Sequence, residues 1–175
     1  YAWNFGDGNN SSVHNPVHTY GSPGNYTVDL TVTTAGGCTS SSTQTVTIHE
    51  VPVANFVANP VCIGSPMTFA NSSTIGAGSI ASWSWDFNDA STSTQSTPTH
   101  TYGTAGTYQV TLVAVSNNGC ADTITQPVTV NALPVVSAGV DRQLCPGGSV
   151  NLTASGGTSY LWAPGAQTAS AITVT

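Results

Sequence analysis

Positive charge is almost absent from this chain. Arg142 is the one Lys or Arg among 175 residues, against seven Asp and Glu, and the formal net charge is −6. Nucleic-acid binding depends on Lys and Arg displacing counterions from phosphates, so it is excluded. Docking on an anionic membrane surface fails for the same reason. No apolar run approaches the roughly 18 residues of a membrane span, which excludes direct membrane insertion by a helix. Charge of either sign is scarce, at 5 % of residues, where an ordinary soluble protein carries about 25 %. The polar surface must therefore be made of Thr, Ser, Asn, Gln and Gly. Helical signal is missing too: no stretch sustains apolar residues at three-and-four spacing. The four cysteines, Cys38, Cys62, Cys120 and Cys145, form no Cys-x-x-Cys pair and have no His at a zinc-ligand spacing. No Gly-x-Ser-x-Gly elbow or other nucleophile motif occurs, so no catalytic residue is assigned and no enzyme is expected.

Repetition takes the place of these signals. Tyr1-Ala2-Trp3-Asn4-Phe5, followed by Pro16-Val17-His18-Thr19-Tyr20-Gly21, returns 82 residues later as Trp83-Ser84-Trp85-Asp86-Phe87 and Pro98-Thr99-His100-Thr101-Tyr102-Gly103. The same interval carries Gly24 to Gly106, Tyr26 to Tyr108, Leu30 to Leu112 and Cys38 to Cys120. An aromatic pattern repeated without change of spacing is one folded unit copied. The complete unit spans 51–132. Residues 1–50 read as the C-terminal part of a unit whose first two strands lie upstream. Leu133-Pro134-Val135 matches Val51-Pro52-Val53 at the same interval, so 133–175 reads as the N-terminal part of a further unit, and the whole as a segment of a longer repeat protein. The junctions Glu50-Val51-Pro52 and Ala132-Leu133-Pro134 are short and stiffened by proline, which places neighbouring units end to end with limited freedom.

Within a unit, apolar residues alternate. Trp83, Trp85 and Phe87 stand two apart and share one face of a strand, as do Tyr108, Val110, Leu112 and Ala114 on a long later strand. Val53–Phe56 and Met67–Ala70 predict the first two strands. Thr123–Val130 predicts the last, paired to its neighbour through an Asn118-Gly119 turn. Several short strands joined by Gly, Asn, Ser and Pro predict an all-β fold of tandem Ig-like β-sandwiches. Tyr108, and Tyr26 in the first copy, stand where the tyrosine corner of such sandwiches ties its hydroxyl to nearby backbone.

Trp85-Asp86-Phe87, and Trp3-Asn4-Phe5-Gly6-Asp7-Gly8 in the first copy, resemble the W-D-F-G-D-G signature of the PKD (polycystic kidney disease) domain. His18-Thr19-Tyr20 and His100-Thr101-Tyr102, followed by Gly24-Asn25-Tyr26-Thr27-Val28 and Gly106-Thr107-Tyr108-Gln109-Val110, are similar to the run that follows in that family. The second copy departs from the signature at Phe87-Asn88-Asp89-Ala90, which implies a wider loop there. The third piece resembles a sister Ig-like module. The resemblance implies an extracellular, non-catalytic spacer or binding module. Tandem arrays of these two types imply a long bacterial surface adhesin or gliding-associated protein exported by the type IX secretion system.

Candidate chemistry is sparse. Cys62 lies between the first two strands and Cys120 just after the long Tyr strand; a Cys62–Cys120 disulfide would close a large loop, contributing roughly 2–4 kcal/mol. By the repeat, the mate of Cys38 falls before Tyr1 and that of Cys145 beyond Thr175, unless cysteines bridge between units or stay reduced. His18 and His100, copied in each unit, read as structural hydrogen-bonding groups. No cofactor is expected, with calcium as the one alternative: Asp7 beside Asn9 and Asn10, or Asp86 with Asp89, offers oxygen donors to a hard cation, although such residues also form turns by bonding their own backbone. Asp122-Thr123-Ile124 matches a short O-glycosylation signal, making Thr123 the glycosylation candidate. Expected partners are the neighbouring repeat domains of the same chain and a protein or polysaccharide ligand. The leading functional expectation is a semi-rigid spacer or stalk in a bacterial cell-surface adhesin or filament. Two alternatives stand beside it: a carbohydrate- or protein-binding accessory module of a secreted hydrolase, and secreted cargo captured in a secretion or surface complex.

Overall fold

A computed structural model describes residues 1–163 and 165–174, and all its regular structure among those residues is β-strand. Pro164 and Thr175, both in the third segment, lie outside the described residues. The first copy holds β1 (Ala2–Asn4), β2 (Asn10–Ser11), β3 (Gly24–Thr33) and β4 (Thr39–Ile48). The second holds β5 (Phe56–Val57), β6 (Val61–Cys62), β7 (Met67–Thr68), β8 (Ala70–Asn71), β9 (Ile80–Asp86), β10 (Thr92–Ser93), β11 (Thr99–His100), β12 (Gly106–Ser116) and β13 (Ala121–Asn131). The third segment adds β14 (Val150–Thr153) and β15 (Ala171–Val174), which pair with each other.

The repeat appears directly in the sheet order. In the first copy the order is β2-β1-β3-β4; in the second it is β10-β9-β12-β13, with β6 added at the edge. Trp3 sits opposite Leu30, and Trp85 opposite Leu112. The long hairpins β3–β4 and β12–β13 run in unbroken antiparallel register. The Asn118-Gly119 turn forms as expected, with Gly119 at a φ of 81°, where glycine carries no Cβ penalty. Two short ladders, β5–β8 and β7–β11, make the second layer of the sandwich.

Alternation decides what fills the space between the layers. Trp85, Val110 and Leu112 from the large sheet meet Phe56, Met67 and Phe69 from the short ladders in one fully buried cluster. A Leu of this kind contributes about 2–5 kcal/mol against truncation to Ala. The Trp85 indole would cost free energy if its N–H were buried unbonded; it donates to the Gln95 carbonyl at 2.8 Å. Trp3 repeats the bond to Val13 at 3.1 Å.

The first two strands of the complete unit differ from the alternation reading. Val53 makes only an isolated bridge to Thr74, and the Ala54 N–H bonds the Asp122 carboxylate at 2.8 Å. The ladder proper starts at Phe56. The predicted Met67–Ala70 strand divides at Phe69, whose N–H turns to the Pro98 carbonyl.

The disulfide expectation is corrected. Cys62 and Cys120 are free thiols, as are Cys38 and Cys145. The reason is the parallel pairing of β6 with β13, which sets Cys62 beside Asn131, the last residue of β13. Cys120 precedes Ala121, the first residue of the same 11-residue strand. The full strand length of roughly 36 Å separates the two, whereas a disulfide requires Cα atoms within about 7 Å. Alkylation and peptide mapping of the monomer under non-reducing conditions are expected to recover Cys62 and Cys120 as separate modified thiols; a Cys62–Cys120 crosslinked peptide would contradict the parallel register.

Candidate functional site

The residues with the most chemistry gather at one corner of each unit, just past the Trp strand. In the first copy the Asp7 carboxylate lies 2.7 Å from His18 Nε2. In the second, Asp89 lies 2.7 Å from His100 Nε2. The imidazole is held from both sides by aromatics. His18 stacks on Phe5 with centroids 4.1 Å apart and meets Tyr20 edge-on. His100 stacks on Phe87 at 4.5 Å and meets Tyr102 edge-on. Tyr20 then stacks on Tyr26, and Tyr102 on Tyr108.

Each hydroxyl of this stack has a backbone acceptor. Tyr20 and Tyr102 donate to the carbonyls of Phe5 and Phe87, both at 3.1 Å. Tyr26 donates to Ser22 and Tyr108 to Thr104, both at 2.9 Å, which completes the expected tyrosine corner in both copies. Burial pushes the Tyr102 phenol well above its ordinary value, and the nearby Asp89 carboxylate pushes it further. The stack is thus packed and bonded inward.

The carboxylates singled out as calcium candidates have turn-forming tasks. Asp7 Oδ1 accepts the Asn9 N–H, and its Oδ2 accepts the Asn9 side-chain amide as well as facing His18. Asp89 Oδ1 accepts the Ser91 N–H. Asp86 Oδ1 accepts the Asn88 N–H, as Asn4 does for Gly6 in the first copy. Among the described residues no three His, Cys, Asp or Glu side chains converge as a metal site. Thr123 alternates outward on β13 and is exposed, while its neighbour Asp122 is bonded to the Ala54 N–H.

The wider loop expected at Phe87–Ala90 does not form. Asn88 and Ala90 adopt φ of 63° and 69°, beside 79° and 91° for Gly6 and Gly8. The turn closes through the same bond, Phe87 N–H to Ser91 at 3.1 Å and Phe5 N–H to Asn9 at 3.0 Å. Asn tolerates this left-handed region, whereas Ala carries a Cβ penalty there. The Asp–His pair is the feature that alternation does not reveal. Its signal lay in the repeat: Asp7 and His18 recur together as Asp89 and His100, at an unchanged separation of 11 residues.

In each copy the imidazole faces a carboxylate and two aromatic rings. What the geometry can do is lock the turn after the Trp strand onto the segment that precedes the long Tyr strand, at His18 in the first copy and at His100 of β11 in the second.

Comparison with known proteins agrees with that architecture. The family model described as "PKD domain" matches residues 1–50 and 49–130. A microbial collagenase of Vibrio alginolyticus is 41 % identical over 92 residues, which are 51 % of this chain and 11 % of the collagenase. The pre-pro-metalloprotease PrtV of Vibrio cholerae is 38 % identical over 98 residues, 54 % of this chain and 10 % of that protein. The match thus spans about a tenth of the length of these curated relatives. Among solved structures, the PKD1 domain of Vibrio anguillarum Epp aligns with a TM-score of 0.45 and 29 % identity, over 49 % of this chain and 99 % of that domain.

Two outcomes are expected of the corner. Burial of the Asp7 carboxyl acts to raise its pKa, but the bonds from His18 and Asn9 and the charge on His18 outweigh it and hold the group down at about 2. A depressed carboxylate stabilises the fold fully above its ordinary value of about 4. That contribution is lost as pH falls towards about 2. Thermal unfolding followed by circular dichroism should therefore show Asp7→Asn to be less sensitive than the parent to acid between those limits. Ala90→Gly should stabilise the second unit by about 1 kcal/mol in urea denaturation, by relieving the left-handed alanine.

Proposed function

The chain belongs to the PKD domain family, and on that basis we propose that it is a non-catalytic, extracellular accessory module of a secreted hydrolase, holding a protein or polysaccharide substrate near a catalytic domain. The observation that carries this reading is the kind of protein in which the matched segment recurs: a collagenase and a metalloprotease, each about ten times longer than the match. The inward bonding of both Asp–His pairs supports the non-catalytic part. In this reading 51–132 is a complete PKD domain, 1–50 the C-terminal part of another, and 133–175 the N-terminal part of a further Ig-like domain.

A second reading keeps the chain as a spacer in a type IX-exported surface adhesin. Its support is the near-absence of charge and the outward, exposed Thr123 as an attachment point for glycan. The relatives weigh towards the hydrolase reading. Cosedimentation separates the two. With insoluble collagen and, separately, insoluble polysaccharide, the chain is expected to be retained by one and to hydrolyse neither. Joined to a protease catalytic domain, it should raise the rate on the insoluble substrate and leave the rate on a soluble peptide unchanged. No retention on either material, with unchanged rates, sinks the accessory reading and leaves the spacer.

A further inference from the structure

The junction between the first two units is held by a side chain as well as by proline. His49 alone separates Glu50 from Ile48, the last residue of β4. Glu50 Oε2 accepts the N–H of Ala77 at 2.7 Å. Ala77 belongs to the second unit, in the loop between β8 and β9. Past Glu50 the chain is already part of that unit: Pro52 is fully buried, and Val53 exchanges both backbone bonds with Thr74.

The loop that receives Glu50 is itself fixed. The Ser79 N–H donates to Asn117 Oδ1 at 3.1 Å, and the Asn117 N–H donates to the Ser79 carbonyl at 2.9 Å, which ties the loop to the end of β12. Gly76, beside Ala77, leaves room for the carboxylate. Its backbone lies outside the left-handed region, so conformation does not require glycine there. A Cβ at Gly76 would lie 2.5 Å from Glu50 Oε2 and 3.1 Å from its Cδ, inside the roughly 3.5–4.0 Å of an ordinary non-bonded contact. Beside the bond is a cleft of about 410 Å³, lined by Gly24, Asn25 and Thr47 at the end of the first hairpin and by Ala77, Gly78 and Asn118 of the second unit. At the next junction the repeat position of Glu50 is Ala132, which has no side-chain acceptor.

We infer that Glu50 is a latch between the first two units: its bond to Ala77 leaves His49 as the one free residue of the link and so sets a single angle between them. A carboxylate acceptor makes this bond stronger than one between neutral groups. Without it the free link lengthens, and the two units move independently, as domains joined by a small polar contact do. A fixed angle serves an accessory module and a spacer alike.

Nitrogen-15 relaxation of the full 175-residue chain tests the latch. The first two units are expected to share one rotational correlation time, with the Ala77 amide protected from hydrogen exchange. Glu50→Ala should give them separate, shorter correlation times and speed exchange at Ala77 roughly tenfold, as loss of a bond to a charged acceptor requires. Glu50 is not among the core residues, so melting of the second unit should stay unchanged. Gly76→Ala keeps Glu50 in the chain and should reproduce both effects by displacing its carboxylate. Glu50→Gln retains a side-chain carbonyl and should preserve part of the protection. Correlation times unaltered in Glu50→Ala overturn the latch, and so does a parent chain whose first two units already tumble independently. Unaltered exchange at Ala77 in Glu50→Ala overturns the bond on which it depends.

Discussion

The indole of Trp85 is the constraint on which the rest of each unit depends. It is a large apolar surface carrying one donor, and the fold has to bury the first while bonding the second. Leu112 meets it across the sheet, Phe56 and Phe69 close over it from the second layer, and the Gln95 carbonyl takes its N–H. That arrangement fixes which face of β9 points inward, and so the register of β12 and β13 beside it. The turn after β9 must then reverse within a few residues, which is where the Asp–His–Tyr corner acts. In a chain with so few charges, packing and inward hydrogen bonds supply the specificity that ion pairs provide elsewhere.

Much of this was legible in the sequence because period-two alternation and an unchanged repeat interval both report on side-chain direction. Trp83, Trp85 and Phe87, and then Tyr108, Val110, Leu112 and Ala114, could be assigned to faces from their spacing alone. The tyrosine corner followed from Tyr108 standing at a strand start. The cysteines show the limit. A repeat interval says which residues are equivalent, but not at which end of a strand a partner lies. The parallel β6–β13 contact, which separates Cys62 from Cys120, leaves no mark in alternation because it spans only two residue pairs. The Asn88–Ala90 turn was misread for a related reason. Glycine signals a left-handed turn, yet its absence does not forbid one when the flanking strands and the Phe87–Ser91 bond impose it.

Function was less legible than fold for a physical reason as well. The residues that look reactive, two histidines, two aspartates and several tyrosines, are the ones the corner consumes in holding itself together. Once their hydrogen bonds are drawn, the outward face left over consists of threonines and other small polar groups, such as Thr111 bonded to Thr125 at 2.9 Å.

The parallel placement of β6 against the end of β13 has a mechanical consequence. The chain enters the second unit at Val51, passes down to β6, and leaves from the far end of β13 at Asn131. Tension applied along the chain draws β6 and β13 in opposite directions. The bonds between them are then loaded together in shear, not opened one at a time like a zip, and the Phe56 packing next to β6 shares the load. A unit built this way resists being drawn out lengthwise more than its two-pair contact would indicate.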